Sequence, residues 1–222
     1  MPETQDVIIV GAGGFGREVH QYLLDALQSR PGYRFKGFLD DDPDTAGTLP
    51  GNQLLLGDIL DHVPHVKEQF VVAIGDPEPR ARIIRILAGR GARFFTLIHP
   101  SAYVASTADI GAGCIVCPFC SIGNGASIAD HVVLTWYSSV AHDARAESFS
   151  VLSPYSTING GAVLGEGAFL GAHAVVNPLQ TIGAWAKVGA GAVVYRSVPP
   201  QSLAMGNPAR TAPLMREESQ GT

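Results

Sequence analysis

The 222-residue chain is short of charge, with Asp, Glu, Lys and Arg making up 16% of it against roughly 25% in an ordinary soluble domain. Cysteine is scarce too, at 3 residues, and basic residues are not in excess, since the formal net charge is −5. Each shortage excludes something. An acidic balance removes the basic face with which proteins displace counterions from nucleic acid. Three cysteines cannot build a disulfide framework, and they fit a reducing compartment. Little charge could signal a membrane protein, but uncharged runs such as residues 110–129 are studded with Gly, Ser, Asn and Pro. None supplies the roughly 20 apolar residues of a span. The opening MPETQDVIIVGAGG has no cationic stretch and no cleavage site of a signal peptide. A cytoplasmic protein with neither a membrane nor a nucleic-acid partner is expected.

What is abundant is glycine, 26 residues, with 15 prolines, and the two halves of the chain use them differently. Up to about residue 97, short apolar runs (7–10, 35–39, 70–74, 93–97) alternate with amphipathic stretches (17–28, 77–88). Strand and helix patterns alternating at this spacing predict βαβ units on a parallel sheet. Pro77 and Pro79 sit where a first helical turn tolerates proline, and Gly89 and Gly91 sit where a helix ends. Residues 1–97 therefore read as a small Rossmann-like α/β domain.

From residue 98 the pattern changes to a period of six. Every sixth position from Ile98 to Val194 is Ile, Leu or Val, except Ala146. Two residues before most of them stands a small side chain, as at Ala108, Cys114, Cys120, Ala126, Ala162 and Ala168, and glycine follows several, as at Gly111, Gly123, Gly165 and Gly171. This is the hexapeptide repeat of a parallel β-helix. A triangular prism with three short strands per turn takes one branched aliphatic per face, and its corners call for small residues, some with positive φ. The phase never breaks, so no long loop interrupts residues 98–210, and residues 211–222 read as a polar tail.

Four constellations could carry chemistry. Gly11-Ala12-Gly13-Gly14-Phe15-Gly16 follows an apolar run and precedes a helical pattern, so its glycines let a backbone approach a phosphate at a helix N-terminus. Asp40, in Leu39-Asp40-Asp41-Asp42, ends the next strand, where a dinucleotide enzyme would hold ribose hydroxyls. A dinucleotide and another nucleotide are both open on this motif alone. Cys114-x-x-Cys117-x-x-Cys120 resembles a metal-ligand run, but Cys114 and Cys120 fall in the small-residue slot and no fourth cysteine exists. His62-x-x-His65 lies in a polar stretch and reads as surface rather than zinc site. His142, after Val140-Ala141 and before Asp143, lies outside the inward slot. It should project from a wall otherwise short of reactive groups, as a proton-transfer residue would.

Together with Phe38-Leu39-Asp40-Asp41-Asp42, Val72-Ala73-Ile74-Gly75-Asp76, Ile98-His99-Pro100, Val188-Gly189-Ala190-Gly191-Ala192 and Gly206-Asn207-Pro208-Ala209-Arg210, these motifs resemble the hexapeptide acyltransferases of the sialic-acid O-acetyltransferase and UDP-amino-sugar N-acetyltransferase family. The resemblance covers almost the whole chain. It implies a left-handed β-helix, a homotrimer with active sites between subunits, acetyl-CoA as co-substrate, no metal, and an N-terminal domain that holds a sugar nucleotide. Carried over by motif, His142 is the base and Asp143 its carboxylate partner. Gly13, Gly14, Phe15, Asp40, Asp41 and Gly75 form the sugar-nucleotide site, and Ala172 and Ala190 meet the pantetheine arm. Val151 stands where some members carry a second histidine at the thioester, and Thr135 and Trp136 replace residues often found before the histidine step.

The implied reaction is acetyl transfer to a nucleotide-linked 4-amino-deoxy sugar. O-acetylation of a sialic acid or related sugar is the alternative, with the same fold and base. An NAD-dependent oxidoreductase would leave the hexads unexplained. A zinc enzyme on the same prism needs histidine pairs five apart, which are absent from the sequence. A non-catalytic trimeric scaffold would bind no CoA.

Overall fold

A computed structural model describes residues 4–49 and 54–214. The first part is a four-stranded parallel sheet in the order β2-β1-β3-β4, formed by β1 (Gln5–Val10), β2 (Tyr33–Leu39), β3 (Glu68–Val72) and β4 (Arg93–Phe94), with helices α1 (Gly14–Leu27) and α2 (Pro77–Gly89). Val7 to Val10 are fully buried at the sheet centre, so the apolar run reports a strand covered on both sides. α2 starts where Asp76 accepts the Glu78 amide at 3.2 Å, with proline at the first turn. The sequence predicts one strand over residues 93–97. Instead the chain divides there, residues 93–94 joining this sheet and Leu97–Ile98 starting the prism.

Seventeen two-residue strands, from Leu97–Ile98 to Val193–Val194, follow at intervals of six. All but the last three pair in parallel with the strand eighteen residues on, as Val133 with Val151 and Val151 with Phe169, so three strands make one coil of a left-handed parallel β-helix. The second residue of each strand points inward: Val116, Ile122, Leu134, Val140, Leu152 and Ile158 are all 0% exposed. Stacked aliphatics form a continuous core, and the three cysteines lie buried and unpaired within the wall. Burial pushes the Cys114 and Cys120 thiols up to about 11, which makes them inert packing groups. Strand Arg210–Pro213 turns back antiparallel on Ser202–Met205, so the predicted tail begins as structure. Its remainder, residues 215–222, lies outside the described residues.

The corners differ from the expectation of small residues. From Val116 to Val194, positive φ falls three residues before each inward position, and much of the series is large: Phe119, His131, Tyr137, Asp143, Phe149, Tyr155, His173, Leu179 and Trp185 all have φ between 57 and 64°. Glycines after the aliphatic serve another purpose. A Cβ on Gly123 would lie 2.8 Å from the His142 backbone nitrogen, and one on Gly165 2.7 Å from the Ile182 carbonyl, so close stacking of coils excludes a side chain. Phe119, Tyr137, Tyr155 and His173, and likewise His131 and Phe149, stack on the same corner one coil away, which offsets the cost of the left-handed conformation, while Leu179 and Trp185 lie over Gly161 and Gly167.

The two parts are joined by polar contacts. Arg80 of α2, 1% exposed, donates to the Phe149 carbonyl at 2.6 Å and the Ser150 carbonyl at 3.3 Å. Burial without a paired carboxylate pushes its guanidinium down to about 10. Across the sheet from it, Tyr22 of α1 accepts a hydrogen bond from the Trp136 indole, and His99 reaches Asp25 at 3.3 Å.

His131 stacks on Phe149 at 5.4 Å, and its Nδ1 is buried without a partner. Burial holds its pKa below the ordinary value of 6.5, so the folded state binds fewer protons than the unfolded one. Stability from this group is present above that value and is lost as pH falls through the folded pKa. His131→Phe, an aromatic like its neighbour Phe149 in the equivalent slot, should keep the stack. Thermal melts at pH 5.5 and 7.5 should show a smaller acid-induced drop in Tm than in wild type. An unchanged drop would place the acid sensitivity elsewhere.

Candidate active site

The glycine turn between β1 and α1 contains two kinds of glycine. Gly11, at φ +98°, and Gly16 are demanded by packing, since a Cβ on Gly11 would lie 2.9 Å from the Ala73 carbonyl and one on Gly16 would collide with the Gly11 carbonyl. Gly13, Gly14 and Gly75 have nothing within 4 Å of the Cβ they lack. Neither strain nor packing explains them, whereas open space over bare backbone at the start of α1 suits an anionic ligand. Asp40 fixes this turn: its carboxylate accepts the Ala12 amide at 2.6 Å and the Asp42 amide at 2.9 Å. Asp41 accepts the Ile59 amide at 2.8 Å and lines a separate hollow with Glu78 and Arg82 on the outer side of α2.

Phe15 and Gly75 open into a pocket of about 440 Å³ between the sheet domain and the prism. Its floor is one column of the eight-stranded prism sheet, in which Val133, Val151, Phe169 and Lys187 stack in register, with Thr135 and Ser153 alongside. A second hollow continues down the same face past Ser153 and Phe169 to Ala172, Ala190 and Leu203. Phe15, Gly75, Val151, Ala172 and Ala190 thus share one cleft. Neither Ala172 nor Ala190 uses its amide N–H within the described residues, which leaves donors at the rim for an extended polar ligand. Sequence reasoning missed Phe169, Lys187 and Ser153. The repeat could have found the first two, because they follow Val151 by one and two coils of eighteen residues.

His142 and Asp143 lie elsewhere. They form the prism edge between the six-stranded sheet, containing Ser139–Val140, and the five-stranded sheet, containing Arg145–Ala146, opposite the face that floors the cleft. Their side chains are 72% and 74% exposed. His142 Nδ1 lies 2.9 Å from Asp143 Oδ2, which fixes the ring and directs Nε2 outward. The ring rests on Gly160, one coil on, where a Cβ would be 2.6 Å from Nε2. The Gly160 amide N–H has no acceptor among the described residues, so a free donor lies beside a hydrogen-bonded imidazole. His62 differs from a bare surface residue in that Nε2 meets Glu68 at 2.9 Å and the ring packs on Phe70. Among the described residues no group of three His, Cys, Asp or Glu is placed to hold a metal ion. No helix of these residues is long and apolar enough to cross a membrane.

The family model described as the PglD N-terminal domain matches residues 6–87. GDP-perosamine N-acetyltransferase of Escherichia coli is 32% identical over 120 residues, 54% of either chain, so the chain spans about half the length of the curated relatives it matches. Solved structures extend further: PerB of Caulobacter crescentus, in complex with CoA and GDP-perosamine, is 33% identical with a TM-score of 0.83, over 93% of this chain and 97% of that one. The chain belongs to the hexapeptide-repeat sugar acetyltransferases. Within this family, the acetyltransferase domain of PglB from Neisseria gonorrhoeae matches at 27% identity and a TM-score of 0.84, over 94% of this chain and all of that one. The Caulobacter enzyme was also solved with one histidine changed to alanine or to asparagine, with the same two ligands bound.

Proposed function

We propose that this family member is an acetyl-CoA-dependent N-acetyltransferase acting on a nucleotide-linked 4-amino-deoxy sugar, in bacterial surface-glycan biosynthesis. The observation that carries this reading is the cleft running from the open Gly75, beside Phe15, to the free amides of Ala172 and Ala190. A sugar nucleotide enters at the sheet domain and the pantetheine arm of acetyl-CoA lies along the prism, so amine and thioester meet above Val151. Relatives named for GDP-perosamine and UDP-N-acetylbacillosamine favour a nitrogen acceptor over the hydroxyl of a sialic acid. Residues 1–97 hold the nucleotide sugar and residues 98–210 perform the transfer. The activated sugar, acetyl-CoA and three unpaired buried thiols suit the cytoplasm.

In the chemistry, the neutral amine attacks the thioester carbonyl, and the Gly160 amide stabilises the oxyanion. His142 Nε2 takes the proton from the attacking nitrogen while Asp143 stabilises the imidazolium. As the C–S bond breaks, the imidazolium returns the proton to the departing CoA sulfur, and the products are the amide and CoA. Because His142 lies on the opposite side of the prism from the cleft, a second copy must supply it, and we infer a homotrimer with its sites between subunits. Thermal melts with CoA and with UDP, dTDP, GDP or CMP test the reading. CoA and one nucleotide should each raise Tm, and absence of any CoA shift would leave only a scaffold.

A further inference from the structure

We propose that Lys187 and the Ser153 hydroxyl form a phosphate contact at the neck where the two hollows of the cleft meet, and that this contact anchors the diphosphate of one of the two substrates. The inference rests on the proposed activity and adds to it the cation that an acidic chain needs for such ligands.

Ser153, Phe169 and Lys187 line both hollows, the one that opens at Gly75 and the one that leads past Ala172 and Ala190. Lys187 is the only basic residue in either lining. It interrupts an apolar column, since its register neighbours are Phe169 on one side and Leu203 on the other. A methionine would cover the same surface without partly desolvating a charge, so packing alone does not account for a lysine. Other basic side chains have carboxylate partners, as Arg34 with Asp6, Lys36 with Glu68 and Arg85 with Glu166. The Lys187 ammonium has no hydrogen bond or ion pair among the described residues, and the cation–ring contacts there belong to Arg30 and Arg85. Ser153 Oγ is likewise without a partner among them, whereas Thr135 donates its hydroxyl to the Leu152 carbonyl at 2.8 Å. Asp76, the one carboxylate in the linings, accepts the Glu78 amide at 3.2 Å as the cap of α2.

The chemistry that fits is a phosphate. An ammonium acts as a point charge on phosphate oxygens, and a free hydroxyl beside it adds a neutral donor. The chain carries a net charge of −5, so an anionic ligand gains most where a cation offsets the overall field. Both substrates of the proposed reaction bring a diphosphate. In the sugar nucleotide it lies across one sugar ring from the reacting amine, and in CoA it lies beyond the pantetheine arm. Lys187 stands two coils on from Val151 in the same column, about 10 Å along the prism at one strand spacing per coil. It therefore anchors a ligand away from the reacting atoms and takes no part in proton transfer.

Titration calorimetry with CoA and, separately, with UDP, dTDP and GDP tests this. Lys187→Met, which keeps the length of the stem and removes the charge, should weaken binding of CoA or of the nucleoside diphosphate by roughly tenfold, with an unchanged circular dichroism spectrum. Lys187→Gln makes the same test should the methionine variant not fold. The Kd that weakens should also depend less steeply on salt than in wild type, a change that lost packing would not produce, and Lys187→Arg should restore most of the affinity. A loss confined to CoA assigns the contact to the CoA diphosphate, and a loss confined to the nucleotide assigns it to the sugar nucleotide. Wild-type affinity for both ligands in Lys187→Met overturns the contact and leaves the proposed activity standing. A wild-type protein that binds neither CoA nor any nucleotide overturns both.

Discussion

His142→Ala should lower kcat for acetyl transfer by about 10²–10⁴-fold, the range that a positioned proton acceptor contributes. Three features of the edge make His142 the group to remove. Its ring is hydrogen-bonded through Nδ1 to Asp143 at 2.9 Å, which leaves Nε2 as the outward acceptor. Asp143 is held at φ +57°, a left-handed corner position that lets a carboxylate turn back onto the preceding ring. The Gly160 amide beside them is unused among the described residues. CoA affinity should change little, because the pantetheine arm is held along Ala172 and Ala190 while His142 acts only at the reacting nitrogen. His142→Asn, similar in size but unable to accept the proton at that point, should be equally slow. Steady-state kinetics with a nucleotide-linked amino sugar, together with CoA titrations, check both halves. Turnover close to wild type in either variant would remove His142 from the chemistry.

The prism was legible from the repeat alone, because one branched aliphatic per strand repeats without a phase break and the eighteen-residue register follows from three strands per coil. The sheet domain was legible from Val7 to Val10 and the glycine turn. What the sequence hid depends on three-dimensional placement. Period six does not say that His142 and Val151, nine residues apart, point from opposite sides of the prism. Nor does it say that left-handed corners carry Phe149 and Tyr155, since positive φ normally reads as glycine and these two are accommodated by rings one coil away. Arg80 was silent in the sequence, looking like one polar residue on an amphipathic helix, because its acceptors are backbone carbonyls about seventy residues on. That contact ties the start of α2, next to Gly75, to the strand that begins at Val151. Both walls of the first pocket, at Gly75 and at Val151, therefore rest on a residue that does not line it.

Gly160→Ala should slow acetyl transfer while leaving the fold intact. A Cβ there would lie 2.6 Å from His142 Nε2 and 2.7 Å from Cε1, and the ring is the part free to move, since its backbone is stacked between coils. Gly160 does not have positive φ, so alanine is compatible with the backbone and the fold should survive with Tm near wild type. The imidazole must swing away, which stretches its bond to Asp143 and shifts Nε2 by an amount on the order of 1 Å, a misplacement that can cost about 10²-fold in rate. The loss should therefore appear in kcat while CoA binding and trimer mass stay as they were. Gly161→Ala is the control: it sits at φ +66°, so its methyl should cost stability through backbone strain and meet Leu179 rather than the histidine. A Gly160→Ala enzyme with full kcat would show that the ring does not need its seat. Loss of Tm without loss of kcat would show that the glycine serves the coil rather than the base.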